Sequence, residues 1–122
     1  MSNIDEKYYI GFEGEPEITF SIIKENNIKR QFGMWSGYFD NIMKQIKPKE
    51  GRWTALAYYY QLGIGWYDES PWLIQNLEES YEQLMEIEVA KLENEEKEII
   101  KIILSMLKDA IDNNCEAFIL YD

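Results

Sequence analysis

The sequence contains no histidine and one cysteine, Cys115, among its 122 residues. Without histidine it can hold no Ser-His-Asp or Cys-His catalytic group and no imidazole general base, and most zinc sites are excluded. A single cysteine cannot form an internal disulfide, which is typical of proteins from reducing compartments. We therefore predict that the chain is not an enzyme, that it binds no metal or other cofactor, and that Cys115 only fills space.

Long apolar runs are also missing. No stretch approaches the roughly 18–20 apolar residues that a membrane span requires. The segment Met1 to Lys7 has neither the basic nor the apolar region of a signal peptide. These absences predict a cytoplasmic protein that does not insert into a membrane.

The residues that are present favour a folded chain. Hydrophobic residues make up 46% of the sequence and aromatic residues 15%, which is far from the composition of a disordered protein. One domain typically takes about 100–200 residues, so we predict a single domain over residues 1–122.

Acidic residues exceed basic ones, and the formal net charge is −11. Met1 to Trp66 holds eight acids and eight bases, whereas Tyr67 to Asp122 holds fifteen acids and four bases. An acidic second half repels nucleic acids and anionic membranes, and it attracts basic proteins. The alternative is an acidic helix face that serves solubility alone.

Hydrophobic periodicity predicts three strands. Glu17 to Lys24 alternates between apolar and polar residues, as a half-buried strand does. Lys7 to Phe12 is a second short strand, and the two are expected to form a hairpin across the Gly and Pro residues between them. The apolar run Ala117 to Tyr121 is expected to be a buried strand that joins this hairpin.

Helical spacing dominates the rest of the chain. A helix is predicted from Ser36 to about Lys47, and another from either Pro71 or Asn76, which begins a capping-box pattern. A longer helix is expected to be capped by Asn94 and to end at Asn113 and Asn114. Arg52 to Leu62 favours a helix, although its three tyrosines also suit a buried strand. Together these elements predict an α+β fold, with a small antiparallel sheet packed against three to four helices.

Gly63 to Trp72 is the most distinctive segment, because it gathers aromatic and acidic residues in a predicted loop. Tryptophan and tyrosine beside acids are typical of binding hot spots. The alternative is that both tryptophans fill the core. The segment has no lysine or arginine to hold a phosphate, which argues against nucleic-acid binding. Its predicted partner-binding residues are Trp66, Tyr67, Asp68, Glu69 and Trp72.

Acidic residues continue on the following helix, where Glu78, Glu79 and Glu82 lie at helical spacing. We include these three in the predicted partner-binding surface. In a chain with 23 acids such pairs also arise by chance. Carboxylate acid–base catalysis is the remaining enzymatic alternative.

The acidic second half, and the stretch Gly65 to Trp72 followed by the helix from Asn76, resemble bacterial immunity proteins of contact-dependent inhibition and polymorphic toxin systems. The resemblance implies a protein that neutralises a basic toxin, often a nuclease, by covering its active site. From the one-domain length and the lack of metal-ligand clusters we also expect a monomer or weak homodimer. Phage-encoded inhibitors of host enzymes have a similar composition. A structural or regulatory subunit that packs through its helices is the alternative function.

Overall fold

The structure, a computed structural model, describes residues 4–122 and shows an α+β fold. The sheet has five strands in the order β1-β3-β2-β5-β4. Only β1 and β3 run parallel, and the other neighbours are antiparallel. The predicted fold class is therefore confirmed. The strands are Ile4–Tyr8 (β1), Glu17–Lys24 (β2), Asn27–Trp35 (β3), Trp72–Leu73 (β4) and Glu116–Tyr121 (β5).

Four helices complete the described part of the chain. They are Ser36–Lys44 (α1), Ala55–Leu62 (α2), Leu77–Met85 (α3) and Asn94–Asp112 (α4), and short 3₁₀ turns lie at Gly65–Tyr67 and Val89–Lys91. The helical interpretation of the Arg52 to Leu62 segment is therefore confirmed. The helix predicted from Ser36 ends at Lys44 rather than Lys47, and Pro71 precedes a short strand instead of starting a helix.

The predicted hairpin pairs the wrong strands. β2 forms its hairpin with β3, through a two-residue turn in which Glu25 and Asn26 have φ values of 51° and 67°. These left-handed residues give the turn a twist that matches the flanking strands. β1 ends at Tyr8 and pairs with β3 in parallel, so the chain between Tyr9 and Pro16 crosses the end of β3 instead of closing a hairpin.

Two of the helix starts differ in detail from the sequence prediction. The long helix α4 is capped by Glu93, whose side chain accepts from the backbone of Glu96 while the Glu96 carboxylate accepts from the Glu93 N–H. Asn94 is thus the first helical residue rather than the cap. Asn76 precedes α3 as predicted, but its φ is 52° and its side chain makes no cap hydrogen bond.

The core lies between one face of the sheet and the helices. Strand alternation directs Ile18, Phe20 and Ile22 to that face, and all three are fully buried. Helices α1 and α4 pack on it, α3 packs on α4, and α2 packs on α3. The predicted stripe of α4 forms the other wall, since Ile99, Ile103, Met106 and Leu107 are fully buried. The structure is therefore two-layered, and none of the helices in residues 4–122 lies on the second face of the sheet.

Candidate functional site

Three tyrosines meet a carboxylate where α1, α2 and the end of β5 converge. The rings of Tyr67 and Tyr121 lie edge to face with centroids 4.9 Å apart, and the Tyr60 and Tyr67 centroids are 6.4 Å apart. The Tyr67 hydroxyl donates to Asp40 Oδ1 over 3.4 Å. All four residues are half-buried, so each ring keeps an exposed part. We call Asp40, Tyr60, Tyr67 and Tyr121, with the adjoining Asp68 and Glu69, the tyrosine–carboxylate surface.

Backbone contacts hold this surface in place. The Tyr121 N–H donates to Ser70 Oγ over 2.9 Å, which ties the loop before β4 to the end of β5. The N–H groups of Asp68 and Glu69 donate to the Gly65 carbonyl at 3.1 and 2.8 Å, and their side chains are exposed. The two carboxylates therefore stand at the solvent side of a tightly turned segment.

The hydroxyls of Tyr60 and Tyr67 are held in their protonated form. Burial raises the pKa of Tyr67 to about 12, and the negative charge of Asp40 adds to the rise. The Trp66 indole N–H, directed toward this hydroxyl without forming a full hydrogen bond, partly offsets the rise in that pKa. Burial and Asp40 also raise the pKa of Tyr60. At neutral pH the surface thus presents hydroxyl donors beside an acceptor carboxylate.

The carboxylates of this surface have no cation of their own. Among residues 4–122, no lysine or arginine forms an ion pair with Asp40, Asp68 or Glu69. Exposed rings beside unpaired carboxylates suit a lysine or arginine of another molecule, because the rings attract a cation through their faces and the carboxylates accept its N–H groups.

The two tryptophans of the predicted site are core residues. Trp66 is fully buried and Trp72 is 5% exposed. The Trp66 ring centroid lies 5.6 Å from that of Phe39 and 5.5 Å from that of Trp72. The prediction that the loop exposes both rings is therefore wrong.

The backbone explains why Trp66 points inward. Gly65 adopts a φ of 70°, a left-handed conformation that glycine enters at little cost. Its Cα packs closely on Tyr59, since a Cβ at Gly65 would stand 3.0 Å from the Tyr59 Cβ. The following 3₁₀ turn then directs Trp66 into the core and leaves Tyr67 at its edge. Trp72 pairs with Ile119 on the core face of the sheet.

The acidic helix residues form a separate surface. Glu78, Glu79 and Glu82 are exposed on α3, as predicted. Strand β5 lies between the start of α3 and the tyrosine–carboxylate surface. Ile74, just before α3, donates its N–H to the Ala117 carbonyl, whereas Ser70 accepts a hydrogen bond from the Tyr121 N–H. Four residues of a strand span about 13 Å. The two halves of the predicted site therefore lie at opposite ends of β5.

Two lysines on either side of Pro48 form ion pairs with acids in the second half of the chain. Lys47 Nζ lies 2.9 Å from Glu88, and Lys49 Nζ lies 3.3 Å from Glu86. Both pairs are exposed, so solvent screens them and they contribute little to stability. These two lysines of the first half of the chain are thus paired with acids of the second half.

Sequence reasoning missed Asp40, Tyr60 and Tyr121. Asp40 lies on the polar side of an amphipathic helix, and Tyr121 ends an apolar strand, so neither has a local signal of function. Only the fold joins them, across 81 positions of the chain. Tyr60 was predicted correctly to lie on a helix, but its contacts with Asp40 and Tyr67 depend on the fold and have no signal in the sequence.

The described residues offer little for other kinds of site. Over residues 4–122, no group of three or more His, Cys, Asp or Glu side chains is arranged to hold a metal ion. No helix within this range has the length and apolar character to cross a membrane. No family model matches the chain, and no curated protein or solved structure is similar to it.

Proposed function

We propose that this chain is an acidic protein-binding module that neutralises a basic protein, as immunity proteins do with toxins. The observation that carries the proposal is the tyrosine–carboxylate surface, where half-buried rings surround a carboxylate without a cation partner. Such a surface receives an arginine or lysine side chain, and tyrosine and arginine are the residues enriched in binding hot spots.

The overall charge supports the same kind of partner. With a net charge of −11, the chain attracts a basic protein over a distance of about one Debye length and accelerates its association. Glu78, Glu79 and Glu82 add to this field from the other end of β5. In the proposal these three raise the association rate, whereas the tyrosine–carboxylate surface makes the close contacts.

The partner is proposed to be a toxin, and a nuclease fits best. Nuclease active sites are basic because they hold phosphates, and Asp68 and Glu69 at an exposed turn have the charge to occupy such a site. Covering the active site would inhibit the toxin without any chemistry by this chain, in keeping with the absence of histidine.

The test compares two charge-reversed proteins. One carries Asp68→Lys and Glu69→Lys, and the control carries Glu25→Lys and Glu50→Lys, which are exposed acids in distant turns. Both changes shift the net charge equally. Each protein is used as bait in extracts of the source cells at low salt, and the captured protein is then expressed alone and together with the chain.

We expect the control and the unmodified chain to capture the same basic protein, and the Asp68 and Glu69 variant to lose it. That protein should arrest growth when expressed alone and be harmless together with the chain. Capture of an acidic protein, or equal capture by both variants, would contradict the proposal. A captured protein that needs this chain for its own activity would instead indicate a regulatory subunit.

A further inference from the structure

The second face of the sheet is apolar along one side and carries none of the helices in residues 4–122. Strand alternation places Ile23, Phe118, Leu120 and Leu73 there, opposite the residues that enter the core. Register joins them into one patch, since Phe118 pairs with Leu73 and with Ser21, and Leu120 pairs with Thr19. Ile28 extends the patch through its pairing with Ile23. We call this set the open face.

These side chains remain accessible. Leu73 is 38% exposed and Ile28 is 50% exposed, while Phe118, Leu120 and Ile23 are half-buried. The polar groups between them are already satisfied in part, because Gln31 Nε2 donates to Ser21 Oγ over 3.0 Å. The Ser21 hydroxyl therefore keeps a hydrogen bond when an apolar partner covers the patch.

Acidic residues border the open face at β4 and β5, whereas the exposed Lys29 lies next to Ile28 on β3. Glu116 pairs with Ile23 at one end of β5. Strand β4 is preceded by Asp68 and Glu69 and followed by the start of α3 with Glu78 and Glu79, all four exposed. By alternation, β2, β4 and β5 direct no lysine or arginine to this face. A partner for it must combine apolar residues with flanking positive charge.

The width of the open face fits one helix. Strands β2, β5 and β4 are adjacent. Three strands spaced about 4.8 Å apart span roughly 10 Å, which is close to the diameter of a helix with its side chains. A helix packed on the second face would add a third layer to the sheet, an arrangement that some domains have.

We infer that the open face binds an amphipathic helix of a basic partner protein, with apolar side chains on Leu73, Phe118 and Leu120 and with lysine or arginine residues toward the acids at both ends. This inference rests on the proposed function, because it assigns a segment of the same basic partner. It adds a second contact area on the other face of the sheet, which shares only Asp68 and Glu69 with the tyrosine–carboxylate surface.

The experiment uses three synthetic peptides of about 18 residues, long enough for a helix of several turns. The first places leucine and lysine at helical spacing, the second replaces every lysine by glutamate, and the third scrambles the first. Binding to the full chain is measured by fluorescence anisotropy at low and high salt. Chemical shifts of the backbone amides locate each peptide on the protein.

Matched variants test the location. Leu73→Lys places a positive charge on the open face, and Leu62→Lys makes the same change at a residue of α2 that is 57% exposed and lies outside the open face. Ile28→Lys repeats the test from β3, in case the Leu73 variant fails to fold. Circular dichroism and urea unfolding check that all three proteins are folded.

We expect the leucine–lysine peptide to bind and to shift amides of β2, β4 and β5, and Leu73→Lys or Ile28→Lys to weaken it at least tenfold. Leu62→Lys should leave the affinity unchanged. Equal binding of the glutamate or scrambled peptide would overturn the inference, as would an unaffected Leu73 variant. A dimer in sedimentation that buries Leu73 would overturn it too, because a second copy would then be the occupant.

The outcomes also separate this inference from the proposed function. If the captured toxin binds the Leu73→Lys protein normally but not the Asp68 and Glu69 variant, the open-face inference fails and the proposed function stands. If the toxin test fails altogether, peptide binding at the open face shows an affinity for basic helices that serves some other purpose, and the assignment to a toxin is lost.

Discussion

Replacing Trp66 by alanine separates a core role from an interface role more clearly than any other single change. Trp66 is fully buried and stands between Phe39, Tyr67 and Trp72. Truncation of a buried tryptophan typically costs about 3–5 kcal/mol. Because three aromatic rings surround the site and their backbones lie in a helix, a 3₁₀ turn and a strand, the cavity cannot collapse easily. We therefore expect a loss near the upper end of this range.

The indole N–H of Trp66 refines the expectation. This buried group has no hydrogen-bond partner within the usual limits, and an unsatisfied buried donor is unfavourable by about 1–3 kcal/mol. Trp66→Phe removes the donor while keeping most of the ring. The phenylalanine variant should therefore lose much less stability than the alanine variant, in spite of its smaller side chain.

Urea unfolding followed by circular dichroism measures both changes, and Trp53→Ala provides the control. Trp53 is 37% exposed, so its truncation should cost well under half as much as that of Trp66. Equal losses for Trp53 and Trp66, or a loss below about 1 kcal/mol for Trp66→Ala, would refute the reasoning from burial. In that case Trp66 would again be a candidate for direct partner contact.

Three further predictions follow from the same part of the molecule. Gly65→Ala should lower the urea midpoint more than Gly63→Ala, since both have positive φ but only Gly65 lacks space for a Cβ. The pKa of Tyr67 is raised to about 12, so the folded chain keeps a proton that the unfolded chain loses near pH 10. The free energy of unfolding should therefore fall between pH 10 and pH 12. Urea titrations at each pH should show a smaller fall for Tyr67→Phe. Glu96→Ala should lower the free energy of unfolding by roughly 2 kcal/mol in thermal or urea unfolding, because this buried carboxylate accepts hydrogen bonds from both Asn41 and the Glu93 N–H. Glu96→Gln should lower it less, because the amide keeps one acceptor oxygen.

The elements that sequence predicts well are those whose periodicity spans many residues. The apolar stripe of α4 and the alternation of β2 each repeat often enough to fix both the type of element and its buried face. The strand β5 followed from a short apolar run and was expected to join the N-terminal hairpin; the structure pairs it with β2. In each case burial is decided by the pattern inside the element itself.

The elements that sequence missed depend on partners far away in the chain. Strand β3 begins with exposed residues from Asn27 to Lys29, so its alternation appears only near Phe32 and Met34. Nothing in Lys7 to Phe12 distinguishes a hairpin partner of β2 from a parallel partner of β3. The two-residue turn at Glu25 and Asn26 places β3 beside β2, which leaves the other edge of β3 for β1.

The same reasoning accounts for the candidate site. A glycine-rich aromatic loop can direct its tryptophans inward or outward, and composition is the same in both cases. The left-handed conformation of Gly65 and its close contact with Tyr59 direct Trp66 into the core, and both are properties of the folded chain. What composition did indicate correctly is that Tyr67, Asp68 and Glu69 remain at the surface.

The placement of the lysines explains why the acidic surface remains available to a partner. Lys47 and Lys49 of the first half pair with Glu88 and Glu86, at the end of the helical layer where α3 finishes. Among the described residues, no lysine or arginine forms an ion pair with Asp68 or Glu69. The acidic charge is thus offset internally in one region and left uncompensated in another. A chain built only for solubility has no need of this segregation, whereas a chain that attracts a basic protein to one side of its surface does.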